Sequence, residues 1–314
     1  KSEYFNLDTS SNIFEKLDYK SLLERDQVIS NTELLKKNIL NKVIFISGGG
    51  GSIGSEIVTQ CILQKPKELI IFEQNEYALF KILKKITTNF NYDDSSVKSY
   101  LGSIEDTDKL NYICKKHKPH LVFHAAAYKH VDILENNIKE AFKNNVIGTY
   151  NISKAALDNN ISNFVNISSD KAVNPSSIMG RTKYCAEKII KYLSSSSNHI
   201  TKFSTVRFGN VISSSGSVIP IFQEQIKKGG PVTVSHPEVK RYFMSTIEAS
   251  QLVIQSSVLG ISGDVFYLEM GEQIKIIDLA KKMISIFQQN QTTTTSKKNI
   301  DIIITGLKKG EKIE

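Results

Sequence analysis

The chain is short of the residues that mark several common protein classes. Three cysteines, Cys61, Cys114 and Cys185, are scattered over 314 residues. All three fall in segments that read as helices, and none has metal-ligand spacing. This excludes a disulfide framework and implies a reducing compartment. No apolar run approaches the ~18 residues of a membrane-crossing helix, and no secretory leader is visible. A basic stripe is missing too. Forty Lys and Arg against 32 Asp and Glu leave a net charge of +8, but the two signs are interleaved. A solvated surface follows, with no nucleic-acid partner expected; a phosphate-bearing ligand suits the same sign of charge. His124, His130 and His236 lie far apart without ligand spacing, so no metal site is expected. The chain does not begin with Met and stops after Gly310-Glu311-Lys312-Ile313-Glu314, which suggests a piece of a longer protein whose remainder could carry a membrane anchor.

What remains is an ordinary globular composition, 40% hydrophobic and 23% charged. Short apolar runs fall at Lys42–Ile46, Glu68–Phe72, Val97–Leu101, Leu121–His124, Phe164–Ile167 and Phe203–Phe208. Between them lie amphipathic stretches at 52–64, Asn75–Thr88, Thr107–His117, Ile138–Asn159 and from about Met179. Strands alternating with helices of this length pair in parallel, which predicts an α/β protein with a doubly wound sheet. Beyond Lys188 the pattern loosens. Short strands are expected at Val232–Val234, Val265–Leu268 and Ile300–Thr305, and helices at Val218–Lys228, Thr246–Leu259 and Ile276–Phe287. A flexible loop is expected at Ser213–Gly216, and a disordered surface loop at Gln288–Lys298.

Gly48, Gly51 and Gly54 follow the first strand and open a helix. The first glycine permits a tight turn, the second lets backbone approach a pyrophosphate, and the third allows close helix–strand packing. The helix N-terminus, with Ser52 and Ile53, adds free N–H donors and a positive dipole end. Glu73 ends the second strand about 20 residues later, where an acid receives the ribose diol of NAD and repels the 2′-phosphate of NADP. The expectation is therefore a Rossmann domain binding NAD over residues 41–210, completed by part of 245–268. Residues 1–40 form an N-terminal extension, and 211–314 mainly a smaller C-terminal substrate lobe. Ser103 and Ile104, after the third strand, are placed against the adenine.

The stretch Asn163–Lys188 carries the reactive groups. A strand ends in Ser168-Ser169-Asp170-Lys171, Asn174-Pro175 break the chain, and a helix brings Lys183. Ligands of open α/β sheets bind at the carboxyl ends of strands. An acid, a candidate base and two hydroxyls thus lie where a ligand would. Taken alone, the cluster reads equally well as a helix-capping loop with a surface ion pair.

His124-Ala125-Ala126-Ala127-Tyr128-Lys129-His130-Val131, Ser169-Asp170-Lys171-Ala172-Val173-Asn174-Pro175, Arg207-Phe208-Gly209-Asn210-Val211 and Arg241-Tyr242-Phe243-Met244 follow the glycine loop in that order. Together they resemble the extended short-chain dehydrogenase/reductase superfamily, and within it the nucleotide-sugar 4,6-dehydratases of bacterial polysaccharide biosynthesis that act on UDP-N-acetylglucosamine. The resemblance implies a cytoplasmic, homo-oligomeric NAD enzyme. It implies contact of Ala125 and Ala126 with the cofactor, and Lys183 on the nicotinamide ribose. It implies Ser169 on the C4 oxygen, Asp170 as acid and Lys171 as base. Asn210, Arg241 and Lys129 are substrate contacts. One departure stands out: the superfamily's Tyr-x-x-x-Lys reads Met179-Gly180-Arg181-Thr182-Lys183, and methionine has no proton to exchange. This is similar to the members that retain configuration at C5. A C4 epimerase and a catalytically silent NAD-binding protein are the competing readings.

Overall fold

The computed structural model describes residues 22, 25–90, 96–196, 199–212, 214, 216–289 and 299–314. Most of the N-terminal extension, positions 213 and 215 of the expected loop, and the tract beyond Gln289 lie outside the described residues. The chain divides into two compact units, one of Val28–Gly209 with Thr246–Glu269, the other of Asn210–Ser245 and Met270–Glu314 with the described residues before Val28.

The larger unit is built on seven parallel strands: β1 (Val43–Ser47), β2 (Glu68–Glu73), β3 (Val97–Leu101), β4 (Leu121–His124), β5 (Asn163–Ile167), β6 (Lys202–Arg207) and β7 (Asp264–Tyr267). Their order is β7-β6-β5-β4-β1-β2-β3, so the direction of winding reverses between β1 and β4. This is the doubly wound sheet that the alternation predicts. The central strands are buried on both faces, and β1, VIFIS, is buried throughout, as parallel strands covered by helices must be. Six helices of this unit frame the sheet: α1 (Ser52–Leu63), α2 (Glu76–Asn89), α3 (Thr107–His117), α4 (Gly148–Asp158), α5 (Ile178–Ser195) and α6 (Thr246–Ser256). On one face Phe45, Phe72, Phe164 and Phe203 pack with Leu110 and Ile113 of α3 and Ile152 of α4.

The long helix expected over Ile138–Asn159 is not one α-helix. It runs Ile138–Phe142, then one π turn, Lys143–Ile147, then α4. A π turn inserts one residue without disturbing the apolar spacing on either side, so periodicity cannot reveal it.

Among the described residues the smaller unit shows the helices Val218–Lys227 and Ile276–Gln289 and three short strand pairings. Val232–Val234 pairs in parallel with Ile302–Ile304. Phe222, Ile226, Leu279 and Met283 share its core with Val232 and Val234. The pairings of Asn210–Val211 with Phe243–Met244 and of Lys240–Arg241 with Ile274–Lys275 involve two residues per strand, too short to leave a pattern in sequence. No helix among the described residues is long and apolar enough to cross a membrane.

Candidate active site

The reversal of strand order between β1 and β4 opens a crevice at the carboxyl edge of a doubly wound sheet, and ligands bind there. The glycine loop leaves β1 at that point. Gly48 has φ +69°, and a Cβ on it would lie 2.6 Å from the backbone of Ala126. A Cβ on Gly54 would lie 2.0 Å from the Gly48 carbonyl oxygen. The loop is thus pressed against Ala125–Ala126 after β4 on one side and against its own helix on the other. Around Gly51 the space is more open: a Cβ there would stand 3.3 Å from the Gly48 oxygen. Gly51 is also the N-cap of α1, and no side chain caps that helix end. Uncapped amides at the end of a twelve-residue helix, beside an open glycine, suit a pyrophosphate.

Glu73 is buried and bonded twice to backbone. Its carboxylate accepts from the Gly50 amide at 3.0 Å and from the Asn75 amide at 3.0 Å. It therefore fixes the glycine loop to the start of α2. Ser103 turns its hydroxyl to the Glu105 amide. The Ile104 side chain is 3% exposed in the sheet core, its Cδ1 against Gly148, so any ligand contact through Ile104 runs by its main chain.

Ser169, Asp170 and Lys171 form a 3₁₀ turn, Asp170–Ala172, immediately after β5, with Ser169 as its N-cap. The Ser169 hydroxyl donates to Asp170 Oδ1 at 2.9 Å, and Lys171 Nζ donates to the same oxygen at 3.2 Å. The turn is held against α5 by Gly180, where a Cβ would sit 2.3 Å from the Lys171 carbonyl oxygen. One turn along α5, Lys183 is 8% exposed and donates from Nζ to the Ile167 carbonyl at 2.6 Å. Burial pushes its pKa down to about 8, with the Glu187 charge opposing the fall. An ammonium has three N–H donors, so a buried one spending a single bond on the strand retains donors for a ligand. Met179 stands one turn before Lys183 on α5. It is buried with Leu134 and Ala141, and packing accounts for it.

Beneath this edge runs a buried polar thread that sequence did not reveal. Thr149 Oγ1 donates to the Asn145 carbonyl at 2.7 Å, so it must accept from His124 Nε2 at 2.9 Å. His124 Nδ1 is then left to accept from the Ser47 hydroxyl at 2.8 Å. Burial, and after it the Lys183 charge, pull the His124 pKa down to about 3, so the ring is neutral. Asn145, in the π turn, takes the Tyr128 amide at 2.8 Å, returns a bond to the Tyr128 carbonyl at 2.9 Å and donates to Thr182 at 3.0 Å. The loop carrying exposed Lys129 is thereby tied beside Lys183.

Asn210 and Arg241 belong to the smaller unit. The Asn210 amide donates to the Tyr242 carbonyl at 2.9 Å. The Arg241 guanidinium is engaged by the carbonyls of Lys240, Lys312 and Ile313 and lies 3.6 Å from Glu311. Backbone acceptors have no signature in sequence, which is why this use of Arg241 could not be foreseen. Among the described residues no cluster of His, Cys, Asp and Glu could hold a metal ion.

Residues 44–314 match the family described as polysaccharide biosynthesis protein. The chain belongs to that family. This polysaccharide biosynthesis family member is 45% identical over 294 residues to the probable polysaccharide biosynthesis protein EpsC of Bacillus subtilis, covering 94% of this chain and 48% of EpsC. It thus spans about half the length of that relative. It is 33% identical over 278 residues to a UDP-glucose 4-epimerase of Rickettsia rickettsii, covering 87% of this chain and 76% of the epimerase. Among solved structures, Pen from Bacillus thuringiensis superposes with a TM-score of 0.81 at 33% identity, covering 88% of this chain and 82% of Pen. The fold of the family member is that of the extended short-chain dehydrogenase/reductases.

Proposed function

We propose that the chain carries the catalytic unit of a UDP-N-acetylglucosamine 4,6-dehydratase that retains configuration at C5 and uses NAD. The reading rests on one observation above all: an Asp170–Lys171 pair at 3.2 Å, at the carboxyl end of β5, on the same helix–turn assembly as buried Lys183. A C4 epimerase works at one carbon and has no use for a second acid–base pair. The uncapped amides of α1, Gly51 and Glu73 suit NAD, and so do the spare donors of Lys183. When bound, NAD would accept the C4 hydride and return it to C6.

The chain's own groups account for the protons. Asp170, held by Ser169, takes the C4 hydroxyl proton and hands it to the departing C6 hydroxyl, which leaves as water. Lys171, as the neutral amine, removes the C5 proton; its ammonium exchanges with solvent and delivers a proton to the same face once C6 is reduced. The carboxylate and the amine end as they began. No tyrosine is required, and Met179, packed with Leu134 and Ala141, has no proton to exchange. Asn210 and Arg241 are proposed for the diphosphate, Lys129 for the sugar.

Incubation with UDP-N-acetylglucosamine in deuterated water tests the reading. Loss of one water with one deuterium at C5 supports it. An isomer of unchanged mass would establish the second reading, an epimerase, which the Rickettsia relative favours.

A further inference from the structure

Glu187 and Arg207 lie outside the roles given above, yet both are drawn into the site's foundation. Glu187 is 6% exposed on α5, one helical turn beyond Lys183. Its Oε1 accepts from the Ser168 hydroxyl at 2.5 Å and from Arg207 Nε at 2.8 Å, and its Oε2 from Arg207 Nη2. This is a two-pronged guanidinium–carboxylate pair, the geometry that best offsets desolvation. Ser168 is also the residue next to Ile167, whose carbonyl holds Lys183. The Ser168 amide in turn donates to the Val206 carbonyl of β6 at 2.7 Å. Helix α5 therefore grips two consecutive residues at the end of β5, by a cation at Ile167 and an anion at Ser168. Arg207, at the end of β6, closes the grip.

We propose that the Glu187–Arg207 pair is a positioning element for Lys183: it sets the depth of the ammonium behind the end of β5 and supplies the negative charge that balances it there. The proposal rests on the reading of Lys183 as a cofactor-side cation, but its geometry does not. Glu187, on its own helix, is the charge that acts on Lys183, and His124 on β4 is neutral beside it. The elements packed on α5 also carry Asp170 and Lys171 on the 3₁₀ turn, Lys202 and Arg207 on β6, Lys143 in the π turn, Asp132, Lys139 and Glu140 on the short helices before it, and Tyr150, Lys154 and Asp158 on α4. Of these, Glu187 is the acid one turn away on the same helix, where opposite charges interact. Its charge raises the Lys183 pKa against the burial that lowers it.

The test reads Lys183 directly. Its depressed pKa means that folding stability is lower while the buried amine is charged and rises as pH goes from about 8 toward the free value of 10.5. Unfolding by denaturant across that range, compared with Lys183→Met, isolates this rise in the whole chain. Glu187→Gln keeps an acceptor for Ser168 but removes the charge, and should start the rise about one pH unit lower. Arg207→Met removes a nearby positive charge and should start it higher. A lesion that merely loosens packing would lower stability in both variants without moving the rise in opposite directions, and that result overturns the proposal. If Glu187→Gln does not fold alone, the double variant Glu187→Gln, Arg207→Gln should show the downward shift in smaller form; an unmoved rise there also overturns it. NAD affinity against pH is the second readout. Wild type that shows the stability rise but binds no NAD refutes the proposed function and leaves the positioning role standing. NAD binding with no shift in either variant does the reverse.

Discussion

The two ends of the sheet's carboxyl edge are built on opposite principles. At β1 and β2 the site is made by the lack of side chains: hypothetical Cβ atoms at Gly48 and Gly54 would lie 2.6 Å and 2.0 Å from backbone. The single acid there, Glu73, is fastened to two amides. At β5 and β6 the site is made of charges: Asp170 is paired with Lys171 and Glu187 with Arg207, and the ammonium of Lys183 is buried on the Ile167 carbonyl. The first end can hold a ligand but has no group free to move a proton. The second end carries the proposed acid and base and is kept in place by the polar contacts of α5. A lesion at the first end should therefore appear as lost fold or lost cofactor, and one at Asp170 or Lys171 of the second as lost turnover.

Lys171→Ala should show the largest effect, a fall in turnover of ~10²–10⁴-fold, with NAD affinity unchanged by titration. Loss of NAD binding in that variant would erase the contrast. Gly54→Ala, forcing a Cβ to 2.0 Å from the Gly48 oxygen, should cost about 3 kcal/mol and NAD binding together, read by denaturant unfolding and cofactor titration. Gly180→Ala pushes on the Lys171 carbonyl instead. It should lower turnover more than NAD affinity, which places a glycine in the charged end and sharpens the division. Glu73→Ala leaves the Gly50 and Asn75 amides unpaired at a cost of about 1–3 kcal/mol, and NAD affinity should fall with it.

One further effect appears only in acid. His124 is neutral when folded, with its pKa pulled from 6.5 to about 3. The unfolded chain gains a proton below about 6.5 that the folded chain refuses. Stability contributed by this ring is complete above that pH and is lost as pH falls toward 3, at about 1 kcal/mol per unit. His124→Gln should flatten that slope while lowering stability at neutral pH.

Most of the scaffold was legible in the sequence because the β strands are short apolar runs separated by helices of regular period. The glycine loop and Glu73 were legible because only glycine permits such close approach, and because strand ends are marked by the arrival of polar residues. Ser169-Asp170-Lys171 was found the same way. Less legible was anything made by a helix turning a polar residue inward. Glu187 stands four residues after Lys183, a spacing that signals a shared face, yet Arg207 as its partner comes from a strand far along the chain. Asn145 was hidden by the π turn, and Arg241 by partners that are main-chain carbonyls. The two-residue strands of the smaller unit were too short to carry a period.

The extra residue in the turn Lys143–Ile147 bears on how this chain can change. Removing one amino acid there would restore an uninterrupted α-helix and rotate everything before it by about 100° relative to α4. Asn145 would no longer meet both Tyr128 and Thr182, and the strap between the β4 loop and the lysine-bearing helix would open. Point substitutions along the exposed side of that helix leave its phase intact. A single-codon deletion does not, so this segment should tolerate drift in spelling far better than drift in length.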